Sequence, residues 1–138
     1  MTRSVLFLCT GNSCRSQMAE AIVNALPSHD WAAYSAGTKP AGSVHPFALE
    51  VLREIGIDHR GRSKGVDEVR DQHFDLVVTV CDAAAEECPV WLGPERRKHL
   101  GFPDPARATG SREQKMLIFR QVRDAIAEQI PQLLGEDL

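Results

Sequence analysis

Long apolar runs, basic stripes and closely spaced metal-ligand pairs are missing from this chain, and each absence removes a class of function. The apolar run at the N-terminus, near Val5 to Cys9, falls far short of the roughly 20 residues that span a bilayer, and no small-residue cleavage pattern accompanies it. A cytoplasmic protein with no membrane partner is therefore expected. The net charge is −3, and the basic residues are scattered apart from Arg96, Arg97 and Lys98, so no surface suited to a nucleic-acid backbone is expected. The four cysteines are spaced Cys-x4-Cys (Cys9, Cys14) and Cys-x6-Cys (Cys81, Cys88), not at the two-residue interval common in zinc knuckles. His29, His45, His59, His73 and His99 do not cluster, so no metal, no cofactor and no catalytic histidine is expected. His45, directly before Pro46, reads as a helix-entry residue. Internal repeats and low-complexity segments are absent.

What remains has the balance of an ordinary globular protein, 43% hydrophobic and 25% charged. A chain of 138 residues suits one domain, 1–138, with a single core. Ser4 to Cys9 reads as a strand, and after a Thr-Gly-Asn-Ser turn Met18, Ala21, Ile22, Ala25 and Leu26 show helical spacing. Trp31 to Ala36 reads as a strand, Gly37 to Ser43 as a loop, and Pro46 to Ile55 as a helix with proline in its first turn. Asp75 to Val80 has the β-branched, continuously apolar character of a strand covered on both faces. A short strand is expected at His99 to Phe102. A last helix is expected over Ser111 to Leu134, its apolar face drawn through Leu117, Phe119, Val122, Ile126 and Ile130. The alternation predicts an α/β fold: an open parallel sheet of about four strands with helices on both faces. Ligands of such sheets bind beyond the carboxyl ends of the strands, where Cys9 and Cys81 both fall. With no long apolar surface helix, a monomer is expected.

Cys9-Thr-Gly-Asn-Ser-Cys-Arg15-Ser16 joins the first strand to the first helix. Backbone N–H groups of Thr10, Gly11, Asn12, Ser13, Cys14 and Arg15 can converge there on one anion at a helix N-terminus. The helix end and the Arg15 guanidinium both favour a Cys9 thiolate. Arg15 offers a planar fork for two oxygens of a tetrahedral oxyanion, Ser16 a hydroxyl for the Cys9 sulfur, and Gly11 the freedom for a close curve. Cys14 reads as a packed thiol that contributes its backbone only. The plain alternative is a buried strand-end cysteine beside a surface arginine.

Cys-x5-Arg-Ser after an N-terminal strand resembles the signature of the low-molecular-weight phosphatase fold, a resemblance that covers essentially the whole chain. It implies that Phe102-Pro-Asp104-Pro-Ala is the family's Asp-Pro loop and that Asp104 is the general acid toward the leaving oxygen. Independently, the flanking Pro103 and Pro105 stiffen the backbone that carries the carboxyl group.

Thr79-Val-Cys81-Asp-Ala-Ala-Ala-Glu-Glu-Cys88-Pro89 resembles the redox loop of thioredoxin-coupled arsenate reductases. That resemblance implies a three-cysteine relay: Cys9 attacks arsenate, Cys81 attacks Cys9 to release arsenite, and Cys88 takes the disulfide outward to thioredoxin or a similar thiol reductant. Ala83 to Glu87 favours helix, which would hold Cys81 and Cys88 roughly 10 Å apart, so the segment is expected to unwind on oxidation. The alternative is a low-molecular-weight protein tyrosine phosphatase. Against it, Ala106 and Arg107 follow the Asp-Pro where such phosphatases carry aromatics, and aromatic residues are only 6% of the chain, too few to build a ring-gripping wall easily. A non-catalytic oxyanion or redox module is the third class. Some members of the family bind potassium through groups matching Asn12, Glu20 and Ser35 with an acidic residue on a later loop. That position falls near Lys64, whose ammonium is expected to reach Glu20 and replace the ion.

Overall fold

In the computed structural model, which describes residues 2–81 and 97–136, the chain runs β1 (Arg3–Cys9), α1 (Arg15–Asn24), β2 (Trp31–Gly37), α2 (Pro46–Arg53), β3 (Leu76–Thr79), β4 (Arg97–His99) and α3 (Arg112–Glu136). Single 3-10 turns lie at Val66–Val69 and Pro105–Arg107. The strands form one sheet in the order β2-β1-β3-β4, and every pairing is parallel. Val5, Leu6, Phe7 and Leu8 are consecutively buried, so both faces of β1 are covered, as a central parallel strand requires. α3 packs on both α1 and α2, and α1 lies along β2 and β1.

The helices begin where local chemistry supplies caps. His45 caps α2 by accepting the Phe47 amide hydrogen at Nδ1 (3.1 Å), with Pro46 in the first turn. α3 opens with a reciprocal pair: Ser111 N donates to Gln114 Oε1 (2.8 Å) and Gln114 N donates to Ser111 Oγ (3.2 Å). Among the described residues, no helix is long and apolar enough to cross a membrane.

Four expectations from the sequence are displaced. β4 is Arg97–His99, not His99 to Phe102, because it is an outer strand whose partly exposed residues carry no apolar signature. Leu100 and Phe102 still donate to Thr79 O and Val80 O, but outside a regular ladder and just before Pro103. The buried face of α3 starts at Met116, three residues before Phe119 and so on its side of the helix, whereas Leu117, two residues before it, points away and is 52% exposed. α1 ends at Asn24, whose side chain bonds both the amide and carbonyl of Ala33 on β2, and Ala25 is therefore exposed rather than part of the core. α2 stops at Arg53, with Gly56 in the left-handed region just beyond and Ile55 44% exposed.

Candidate active site

The loop from Cys9 to Arg15 has its carbonyls turned away from the site. Cys9 O, Thr10 O, Gly11 O and Ser13 O accept from the backbone amides of Thr38, Lys39, Ala41 and His45, and Asn12 O accepts from Gln17 Nε2. The segment after β2 thus clamps the loop from outside. Gly37 lies at its base, where an added Cβ would overlap Thr10 O and crowd Asn12, so the close approach requires glycine.

Asn12 has φ 50°, the left-handed turn that aims its amide at the Cys9 sulfur; Asn12 N donates to Cys9 Sγ at 3.2 Å. Cys9 Sγ and Ser16 Oγ are 2.8 Å apart, and Asn12 Nδ2 donates to Ser16 Oγ, also at 2.8 Å. Cys9 is only 2% exposed, so the sulfur has exchanged water for these contacts. Cys14 is also buried, and burial, followed by the negative charge of Asp104, pushes its thiol up to about 12. It stays protonated at neutral pH, unfit as a nucleophile.

Arg15 joins the two loops of the site. Its Nη1 donates to Phe102 O (3.2 Å), its Nη2 lies 3.7 Å from Asp104 Oδ2, and its Nε is buried with no partner among the described residues. Asp104 caps the short turn at Pro105–Arg107 by accepting the Ala106 amide hydrogen at Oδ1 (3.0 Å), which leaves Oδ2 near Arg15 and, at 3.9 Å, Arg107. A crevice of about 440 Å³ is lined by Thr10, Arg15, Cys81, Phe102, Asp104 and Arg107. A smaller hollow of about 230 Å³ lies over Cys9, walled by Ala41, Ala106 and Asp104. Apart from Arg15 its walls are short side chains, with room for a compact oxyanion.

Register brings Cys81 to the same edge. β1 and β3 are neighbours with Leu8 opposite Thr79, and Cys81 Sγ lies 3.5 Å from Thr10 Oγ1. Cys88 and the segment Ala83 to Glu87 lie outside the described residues. Ser35 Oγ donates to Glu20 Oε1 (3.2 Å), and burial holds the Glu20 carboxyl above its usual range against the opposing pull of Lys64. Lys64 Nζ itself donates to Arg62 O at 3.0 Å, while Glu20 Oε2 faces His59 Nε2 at 3.6 Å. Asn12 Oδ1 already accepts from Gln17 Nε2 and Lys64 N, both at 2.9 Å, so its lone pairs are occupied and the donor set does not suit potassium.

Sequence reasoning missed Gln17 and His59, which meet at 2.7 Å behind the loop. No periodicity marks a contact 42 positions apart, although a fully buried glutamine inside α1 is the kind of polar core residue that demands partners.

A buried thiol that accepts the Asn12 amide hydrogen and shares a hollow with Arg15, at the carboxyl edge of a parallel sheet, is an arrangement that suits a cysteine-dependent site for tetrahedral oxyanions. The chain belongs to the low molecular weight phosphotyrosine protein phosphatase family, whose model matches residues 4–138. It is 46% identical over 127 residues to an arsenate reductase of Halalkalibacterium halodurans, covering 91% of each chain. It is 42% identical over 127 residues to an arsenate reductase of Bacillus subtilis, again covering 91% of each. A solved arsenate reductase in its phosphate-binding state superposes with a TM-score of 0.82 at 29% identity, covering 98% of both chains.

Proposed function

We propose that this protein reduces arsenate to arsenite through Cys9, Cys81 and Cys88 and is recycled by thioredoxin or a similar dithiol. The observation that carries the reading is the Cys81 thiol seated against Thr10, at the edge of the nucleophile loop. A hydrolytic phosphatase needs no second thiol there, and the curated relatives quoted above are arsenate reductases.

The Cys9 thiolate, receiving hydrogen bonds from Asn12 N and Ser16, attacks arsenic while the loop amides and Arg15 hold the remaining oxygens. Asp104 gives its proton to the departing oxygen, which leaves as water, and a Cys9–arsenic(V) bond remains. The Cys81 thiolate then attacks the Cys9 sulfur. The sulfur–arsenic bond breaks with its electron pair going to arsenic, so arsenic(V) becomes arsenic(III), arsenite departs, and a Cys9–Cys81 disulfide forms. Cys88 attacks Cys81, releasing the Cys9 thiolate and leaving a Cys81–Cys88 disulfide for an external dithiol to reduce.

Lys64 supplies the positive charge beneath the loop that potassium provides in other members; the support is its pull on the Glu20 carboxyl. Potassium and sodium should then sustain equal rates, and a selective gain with potassium would refute this part. For the reaction as a whole, one turnover with arsenate should release arsenite and leave the protein lighter by two hydrogens, with Cys81 bonded to Cys88. A protein that stays fully reduced while cleaving phosphate esters would instead be a phosphatase.

A further inference from the structure

The polarity of the hydrogen bonds behind Cys9 is set by three backbone groups. Lys64 N–H can only donate, so the Asn12 side-chain atom it meets at 2.9 Å is the oxygen, and the other, which faces Ser16 Oγ at 2.8 Å, is the NH2. Asn12 O and Arg62 O can only accept, so the Gln17 atom within 3.2 and 3.1 Å of them is its NH2, whose two hydrogens are shared among these carbonyls and Asn12 Oδ1, the nearest of the three at 2.9 Å. The Gln17 oxygen therefore faces His59 Nε2 at 2.7 Å, and that nitrogen carries the hydrogen. Opposite a Cys9 thiolate, which can only accept, Ser16 Oγ turns its own hydrogen to Cys9 Sγ while accepting from Asn12. Every bond from His59 through Gln17, Asn12 and Ser16 donates in one direction, toward the sulfur.

We infer that Gln17 and His59 are positioning residues for the nucleophile: a one-way chain of donors from His59 Nε2 holds Asn12 in its left-handed turn and stabilises the anionic form of Cys9. The inference rests on the reading of Cys9 as the nucleophile and extends it to two residues that touch no substrate. Aligned donors polarise one another, so the terminal bond to a charged sulfur strengthens with each link. Gly61 shows how closely the far end is built, since a Cβ there would strike both His59 Nε2 and Gln17 Oε1. Because those atoms are side-chain tips, an added methyl can be accommodated by parting them, which severs the bond without removing a donor.

The test is iodoacetamide alkylation of Cys9 as a function of pH in the full chain, followed by peptide mass, with thermal melting alongside. Gly61→Ala and Gln17→Met should move the alkylation midpoint upward and slow the reaction about threefold near neutral pH, with the rate recovered in alkali. His59→Leu should do the same, and His59→Gln, which restores a donor at the end of the side chain, should return the profile toward the parent. The charged groups at the two ends, Arg15 and Asp104 by the sulfur and Glu20 and Lys64 by the imidazole, stay in place in every variant. An unchanged profile in Gly61→Ala and Gln17→Met overturns the inference, as does a His59→Gln profile no better than that of His59→Leu. Arsenate turnover is scored separately: a shifted profile in a protein that releases no arsenite would keep the donor chain and sink the reductase.

Discussion

Cys81 Sγ lies 3.5 Å from the hydroxyl of Thr10, the residue that follows Cys9 in the chain. Parallel pairing of β1 with β3 produces this contact, since Val80 N donates to Leu8 O and carries the next residue up to the loop. Cys81 is thus brought to the loop by the pairing of the sheet.

Cys81→Ser should separate attack from reduction. The adduct on Cys9 should still form, whereas arsenite release under a dithiol should fall to background, because a hydroxyl cannot take over the disulfide step. Arsenite quantified after stopped single turnovers checks this, and undiminished release would refute the relay.

Arg15→Lys should keep the charge and lose the fork. One hydrogen bond to a charged oxygen contributes about 1.5–3 kcal/mol, which corresponds to roughly a 10- to 150-fold fall in kcat/KM for arsenate. Phosphate, as a competing oxyanion, should weaken in parallel, and titration calorimetry would show it. A loss confined to kcat with phosphate affinity intact would place Arg15 outside the oxyanion cradle.

Asp104→Asn removes the proton donor but retains an acceptor for the Ala106 amide. Adduct formation should slow about a hundredfold or more, as expected for loss of a positioned general acid. Rapid-quench mass analysis at several pH values is the appropriate measurement; an adduct rate equal to that of the parent would assign the acid role elsewhere.

Asp75 anchors the start of β3 to β1: its Oδ2 accepts from Ser4 N at 2.7 Å, and this bond holds its carboxyl below the usual range. A carboxyl whose folded value lies below the unfolded one, about 3.9, stabilises the fold fully above that point and loses its contribution as pH falls toward the folded value. Asp75→Asn should therefore lower the melting temperature at neutral pH and flatten its decline below about pH 4. Parallel melting curves for both proteins from neutral to acid pH would contradict the assignment.

The strands and the nucleophile loop were legible in the sequence because each carries a local signal. Val5 to Leu8 and Leu76 to Val80 are unbroken buried runs, and Cys9 to Arg15 is bracketed by a strand and a helix. β4 was misplaced because an outer strand built from Arg97, Lys98 and His99 has no pattern to read. Hydrophobicity alone points to Leu117 as a core residue, although the buried stripe of α3 passes through Met116. The site was harder to foresee where it depends on distant pairs. Arg15 finds Phe102 O across 87 positions and Gln17 finds His59 across 42, and such meetings are fixed by the sheet order rather than by any spacing.

Arg15 grips the Phe102 carbonyl and lies beside the Asp104 carboxyl group, so the loop after Cys9 and the loop at 102–104 share one guanidinium. Under the proposed reaction an incoming oxyanion would compete for that guanidinium, and filling the cradle would slacken the tether at 102–104 and free the carboxyl for its proton transfer.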